Sequence, residues 1–223
     1  MSEAAANSAL DAAPAAAAER TTRRGRHGID KRTQLLNAAS KLFLKHGYEG
    51  SSINALARSS GISKESIYRY FDSKQALFEA VIDKELEAHG KALSALSVMQ
   101  EGDAASLAQL QIAAEDILTV MTSDRTLALR RLMFQAATKS PDIGAHYHRI
   151  GPAGAYQQFE AFFERLRTPP EYSPGVLSRT FIALLLHEVM LGRACRVIPP
   201  LRKEEIEQRA KETVEMFALR FLQ

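Results

Sequence analysis

The segment "GISKESIYRYFDSK", Gly61 to Lys74, carries two tyrosines, two lysines and an arginine on one short stretch. Groups of this kind bind anions: phenols and hydroxyls donate hydrogen bonds to phosphate oxygens, and the cations add charge. Nothing elsewhere in the chain has the spacing of a catalytic site. His146 and His148 are two residues apart and point about 200° away from each other on a helix, so they cannot chelate one metal from one face. Asp142 and His146 can share a face, but one such pair is far short of a site. Cys195 and His187 lie about 12 Å apart along a helix, too far for a nucleophile and its base. No glycine-rich loop that could cradle a phosphate is present. The residues therefore predict no enzyme, no cofactor and no metal site. The lone Cys195 also excludes an internal disulfide.

The charge distribution supports an anionic partner. The net charge is only +3, but residues 20–75 hold 12 Lys and Arg against Asp30, Glu49, Glu65 and Asp72, a local excess of +8. Residues 1–19 carry −3 and residues 76–223 carry −2. Positive charge concentrated in one small unit favours a polyanion, most simply nucleic acid; a solvated basic face with no partner is the alternative. No uninterrupted apolar run of membrane-spanning length and no secretion signal are seen, which predicts a soluble, cytoplasmic protein.

The elements that must position these groups read as helices throughout. Residues 1–28 are rich in alanine and end in a basic arm; they are expected to be disordered. Leu35, Leu36, Ala39, Leu42 and Phe43 follow helical spacing over about 30–46, with Gly47 as the stop. Ser51 or Ser52 caps a short second helix, Gly61 supplies a turn that needs positive φ, and Ser63 caps a third helix over about 63–70. Asp72 or Ser73 then starts a long fourth helix. Further helical patterns run over about 105–121, 124–138, 142–167, 174–197 and 204–221, with a kink or break expected at Gly151, Pro152 and Gly154. No segment alternates with period two, so the fold class is all-α, with about nine helices.

Within the short helices, Ala57, Gly61 and Ile67 fall at offsets of 0, 4 and 10. A small residue allows close crossing, a glycine makes the tight turn and an isoleucine pins the second helix to the first, as in a helix-turn-helix. Residues 38–81, and above all "YRYFDSKQALF", resemble the DNA-binding domain of TetR-family transcriptional regulators, over roughly 30–82. The stretch "RRLMFQAATKSPDIGAHYHRIGPAGAYQQFEAFFERL" resembles an AefR-like C-terminal subtype. The resemblance implies a tail at 1–28, a helix-turn-helix domain at 29–75, and a helical effector-binding and dimerisation domain at 76–223.

It further implies that the third helix enters the major groove, that Tyr68, Lys74 and Ser52 hold phosphates, and that Ser63, Lys64, Glu65, Arg69 and Tyr70 reach bases or backbone. Glu65 stands where many relatives have a small residue; it either accepts from a cytosine amino group or simply favours the helix N-terminus. The basic arm either lies along DNA or makes no defined contact. The last two helices are expected to form a homodimer that matches a pseudo-palindromic operator in double-stranded DNA. A small-molecule effector would occupy a pocket lined by Phe134, His146, Tyr147, Tyr156, Phe159 and His187. The expected function is sequence-specific transcriptional regulation, by a repressor modulated by that effector. The alternatives are an activator on the same fold and a non-specific DNA-binding or ligand-binding helical protein.

Overall fold

The computed structural model describes residues 31–93, 96, 103–166 and 168–222. The tail and basic arm over 1–28 lie outside the described residues. Among the described residues ten helices follow one another: α1 (31–46), α2 (Ile53–Ser60), α3 (Lys64–Tyr70), α4 (Lys74–Ala92), α5 (Asp103–Met121), α6 (Asp124–Ala137), α7 (Pro141–Ile150), α8 (Pro152–Phe163), α9 (Pro174–Ala194) and α10 (Lys203–Phe221). No strand occurs among the described residues. The helix expected over 142–167 is two helices. Gly151 leaves helical geometry at φ −91° and ψ −89°, and Pro152 opens α8 at a position where its missing N–H costs nothing.

Buried side chains form two cores. The first joins Leu35, Phe43, Leu56, Ile67, Phe78 and Ile82 to Leu132, Met133 and Ile143, so α6 and α7 pack with the N-terminal helices. Its centre is aromatic: Phe43 meets Phe78 edge-on at 4.9 Å between ring centroids, and Tyr48 lies 4.8 Å from Phe78. The second core gathers Leu110, Ile117, Phe159, Phe163, Phe181 and Phe217 from α5, α8, α9 and α10.

Helix α4 runs between the two. Leu77 to Leu86 belong to the first core, and Leu93, just past its end, belongs to the second. Its polar face is tied to three other helices. Glu85 accepts from Arg125 of α6, at 2.8 Å from Nε, and from Ser40 of α1; Lys84 donates to Asn37. Asp83 takes a 2.6 Å hydrogen bond from His146 Nε2 of α7.

Helix α9 is long and apolar enough to cross a membrane by composition alone, with a mean hydropathy of 1.4, yet 39% of that window is already buried in the chain. Phe181, Leu185 and Val189 face the second core, while Leu184 and Leu191 remain exposed. Arg193 at its C-terminal end is buried and fully engaged. Its guanidinium donates to the carbonyls of Thr122 and Ile198 and, at 2.6 Å, to Asp124.

Candidate nucleic-acid interface and ligand cavity

The helix-turn-helix is closed by local hydrogen bonds. Ser52, not Ser51, caps α2: its Oγ accepts from Ala55 N at 3.1 Å. Ser51 is buried and its hydroxyl donates 2.7 Å to the Gly47 carbonyl. Gly61 takes the left-handed conformation at φ 69° and its N–H closes α2 on Ala57 O. A side chain there would be strained, which is why the turn uses glycine. Ser63 caps α3 through Ser66 N at 3.2 Å, and Ser73 caps α4 through Ala76 N at 3.0 Å. Ile67 is fully buried and fixes the rotation of α3 about its axis.

That rotation decides which side chains face outward. Ser63, Lys64, Glu65, Tyr68 and Arg69 are exposed on one side of α3, and Ser52 is exposed at the start of α2. Tyr68, a large phenol that burial would favour, is 50% exposed. Tyr70 is half-buried against the first core, and the Arg69 guanidinium stacks over its ring at 5.5 Å, so Tyr70 is a platform beneath Arg69. Lys74 is not the free point charge that the sequence suggests. Its ammonium donates to the carbonyls of Tyr48 at 3.1 Å and Ser51 at 3.3 Å, and it sits 4.2 Å above the Tyr48 ring. An ammonium has three N–H donors, so these two carbonyls leave one uncommitted above the ring. The Tyr48 phenol below it is held neutral: burial first, then the charges of Glu49 and Glu79, raise its pKa above the usual value.

A second feature lies between α4, α5, α6, α7, α8 and α9. It is a cavity of about 790 Å³, walled mainly by apolar side chains such as Leu86, Ile117, Met133, Ile182 and Met190. Phe134, Tyr147, Tyr156 and His187 are on its wall, as the sequence suggests. His146 and Phe159 are not. His146 turns toward α4 and bonds Asp83, with its Nδ1 accepting from Arg149 at 3.2 Å, so the neighbouring His148 reaches the cavity instead. Phe159 is fully buried in the second core, 5.3 Å from Phe181. Arg130, missed in the sequence, is the one charged Lys, Arg, Asp or Glu side chain on the described wall. The available signal was a cation at i+3 from Leu127 and i−4 from Phe134, inside an otherwise apolar stripe.

Comparison with known proteins matches the N-terminal and the C-terminal part of the chain separately. Residues 35–81 match the model of bacterial regulatory proteins of the tetR family, and residues 108–222 match that of the AefR-like transcriptional repressor C-terminal domain. The HTH-type transcriptional repressor ComR of Escherichia coli K12 is 32% identical over 196 residues, covering 87% of this chain and 92% of its own length. Among solved structures, a TetR-family regulator from Mesorhizobium loti superposes with a TM-score of 0.75 at 22% identity, over 88% of this chain and 98% of its own. The Flavonoid-responsive Regulator FrrA does so with a TM-score of 0.70 at 24% identity, over 86% of this chain and 97% of its own. With a helix-turn-helix that presents polar side chains, a C-terminal match over residues 108–222 and a relative 32% identical over 87% of the chain, the chain belongs to the TetR family of DNA-binding transcriptional regulators.

Proposed function

We propose that this protein is a homodimeric, cytoplasmic repressor that binds a pseudo-palindromic operator and leaves it when a small molecule fills the cavity. The observation that carries the reading is shared membership. Leu86, Met133 and Tyr147 line the cavity and also pack in or against the core that seats α1 to α3. A ligand that moves those three side chains therefore acts directly on the seat of the DNA-binding helices. It shifts the population toward the conformation it prefers, by no more than its difference in affinity for the two.

Ser63, Lys64, Glu65 and Arg69 are the proposed contacts to bases and nearby backbone, with Tyr70 acting through Arg69. Ser52, Tyr68 and Lys74 are the proposed contacts to phosphate. Dimerisation is supported by the apolar side chains that α9 and α10 leave exposed: Leu184 and Leu191 on one, Met216 and Leu219 on the other. An isologous contact through them would fix two copies of α3 at one separation.

Selection of bound sites from random duplexes, with the mass of the complex read by light scattering, tests this reading. The expected result is one two-fold-related sequence bound by a dimer, with Leu184→Glu monomeric and at least about tenfold weaker on the same site. Recovery of unenriched DNA by a folded dimer would instead identify a non-specific binder.

A further inference from the structure

Two arginines of the C-terminal region are held in different ways: Arg193 is buried, whereas Arg130 is partly buried, with its Nε shielded from solvent. Arg193 has an acceptor for each of its nitrogens: the carbonyls of Thr122 and Ile198 and the carboxylate of Asp124. Arg130 has none of comparable strength. Its Nε is buried without a hydrogen-bond partner among the described residues, and its Nη2 lies 4.0 Å from the thioether of Met121. A thioether is a weak acceptor, and a guanidinium cannot shed its proton to escape the cost of burial. A guanidinium N–H shut off from water without an acceptor is unfavourable, and a partly buried cation is favoured by an anion beside it.

The surroundings say which kind of partner is missing. No Asp or Glu stands on the described wall of the cavity, so the protein itself offers Arg130 no carboxylate there. The polar groups that do face the space, the phenols of Tyr147 and Tyr156 and the rings of His148 and His187, can each donate a hydrogen bond to an oxygen anion. Everything else on the wall is apolar or small, and about 790 Å³ is within the range of sites that enclose drug-sized molecules.

Building on the effector reading above, we infer that the cavity selects amphipathic monoanions: molecules with an apolar body and one carboxylate-like group, which Arg130 neutralises from the wall of α6. A guanidinium pairs with a carboxylate through two parallel N–H donors. Arg130 sits on α6, three and four residues before Met133 and Phe134. Anion capture there therefore pulls on the helix that also carries Leu132 and Met133 of the first core.

The test is calorimetric titration of the full-length dimer with three probes of equal chain length, decanoate, decan-1-ol and decylamine, and with the aromatic pair 2-naphthoate and 2-naphthol. Wild-type protein should bind one acid at least tenfold and up to about a hundredfold more tightly than its alcohol, and should reject the amine. The acid that wins distinguishes an aliphatic from an aromatic effector. Arg130→Met, which keeps length and apolarity, should lose the preference while retaining the alcohol; Arg130→Lys should keep part of it. Ala155→Trp, or Ala183→Trp if the first does not fold, fills the cavity and should abolish all binding. Equal affinity for acid and alcohol in the wild type, or an unchanged preference in Arg130→Met, overturns the anion inference, while tryptophan-sensitive binding of the alcohols leaves the cavity as the effector site. Binding that the tryptophan variants do not affect, or no binding of any probe, overturns both.

Discussion

From Ser52 to Ser73 each helix end is closed by a neighbour in sequence: Ser52, Ser63 and Ser73 cap three successive helices, and Gly61 ends α2 with its own N–H. Around the cavity closure is only partial: Ser123 and Ser173 cap α6 and α9, but other contacts are left open. Neither α7 nor α8 has a side-chain cap, Arg130 Nε has no acceptor, and α9 keeps Leu184 and Leu191 in solvent. The first region is complete by itself and holds side chains outward at fixed positions. The second has three kinds of unfinished contact, each of which a ligand or a second copy can finish. Recognition of a fixed polymer calls for the former, and response to a diffusing molecule calls for the latter.

Truncation probes that contrast most strongly. Phe78→Ala, in the middle of the Phe43 and Tyr48 cluster, should lower unfolding free energy by about 3–5 kcal/mol in urea, because the surrounding rings cannot collapse into the space. Phe134→Ala removes a ring of the same size that is 60% exposed on the cavity wall, and should cost less than about 1 kcal/mol. Equal costs would mean that the two regions are packed alike. Lys74→Ala should have an intermediate effect, about 1–3 kcal/mol, since the carbonyls of Tyr48 and Ser51 would be left without a charged donor. The same variant should flatten the salt dependence of DNA binding by about 0.9 for each phosphate that is no longer neutralised, or about 2 per dimer. A changed stability with an unchanged slope would make Lys74 a clamp of the first region and nothing more. Glu65→Ala should leave stability within about 0.5 kcal/mol and relax preference at one base position per half-site by about 1–3 kcal/mol. An identical selected site would reduce Glu65 to a solvated first-turn carboxylate.

Where local chemistry decides a feature, the sequence shows it. Ser63, Gly61 and Gly47 were legible as cap, turn and stop because each role depends only on a residue type and its immediate neighbours. Ser51 and Ser52 were not separable, since both offer a hydroxyl; the carbonyl of Gly47, which accepts from Ser51, decides it. The break at Gly151 was legible from the adjacent proline, whereas the reason for a glycine there was not. A Cβ at that position would lie 3.2 Å from Leu86 of α4, a neighbour 65 residues earlier in the chain. His146 and Phe159 were misplaced for the same reason. One faces the carboxylate of Asp83 and the other a core built from four helices, and helical spacing identifies a shared face without saying what lies opposite it. Lys74 reads as a free cation because backbone carbonyls, its actual partners, leave no mark in a sequence.

Helix α4 has 19 residues and is continuous from the first core to the edge of the second. At 1.5 Å of rise per residue it is a rigid rod about 28 Å long. A rod of that length is a lever: a tilt of about 5° at the cavity end moves Lys74 and the turn before it by about 2.4 Å, close to the difference between a formed and a broken hydrogen bond to phosphate. A small tilt of α4, carrying its part of the first core with it, is therefore enough to misalign α3 with a groove.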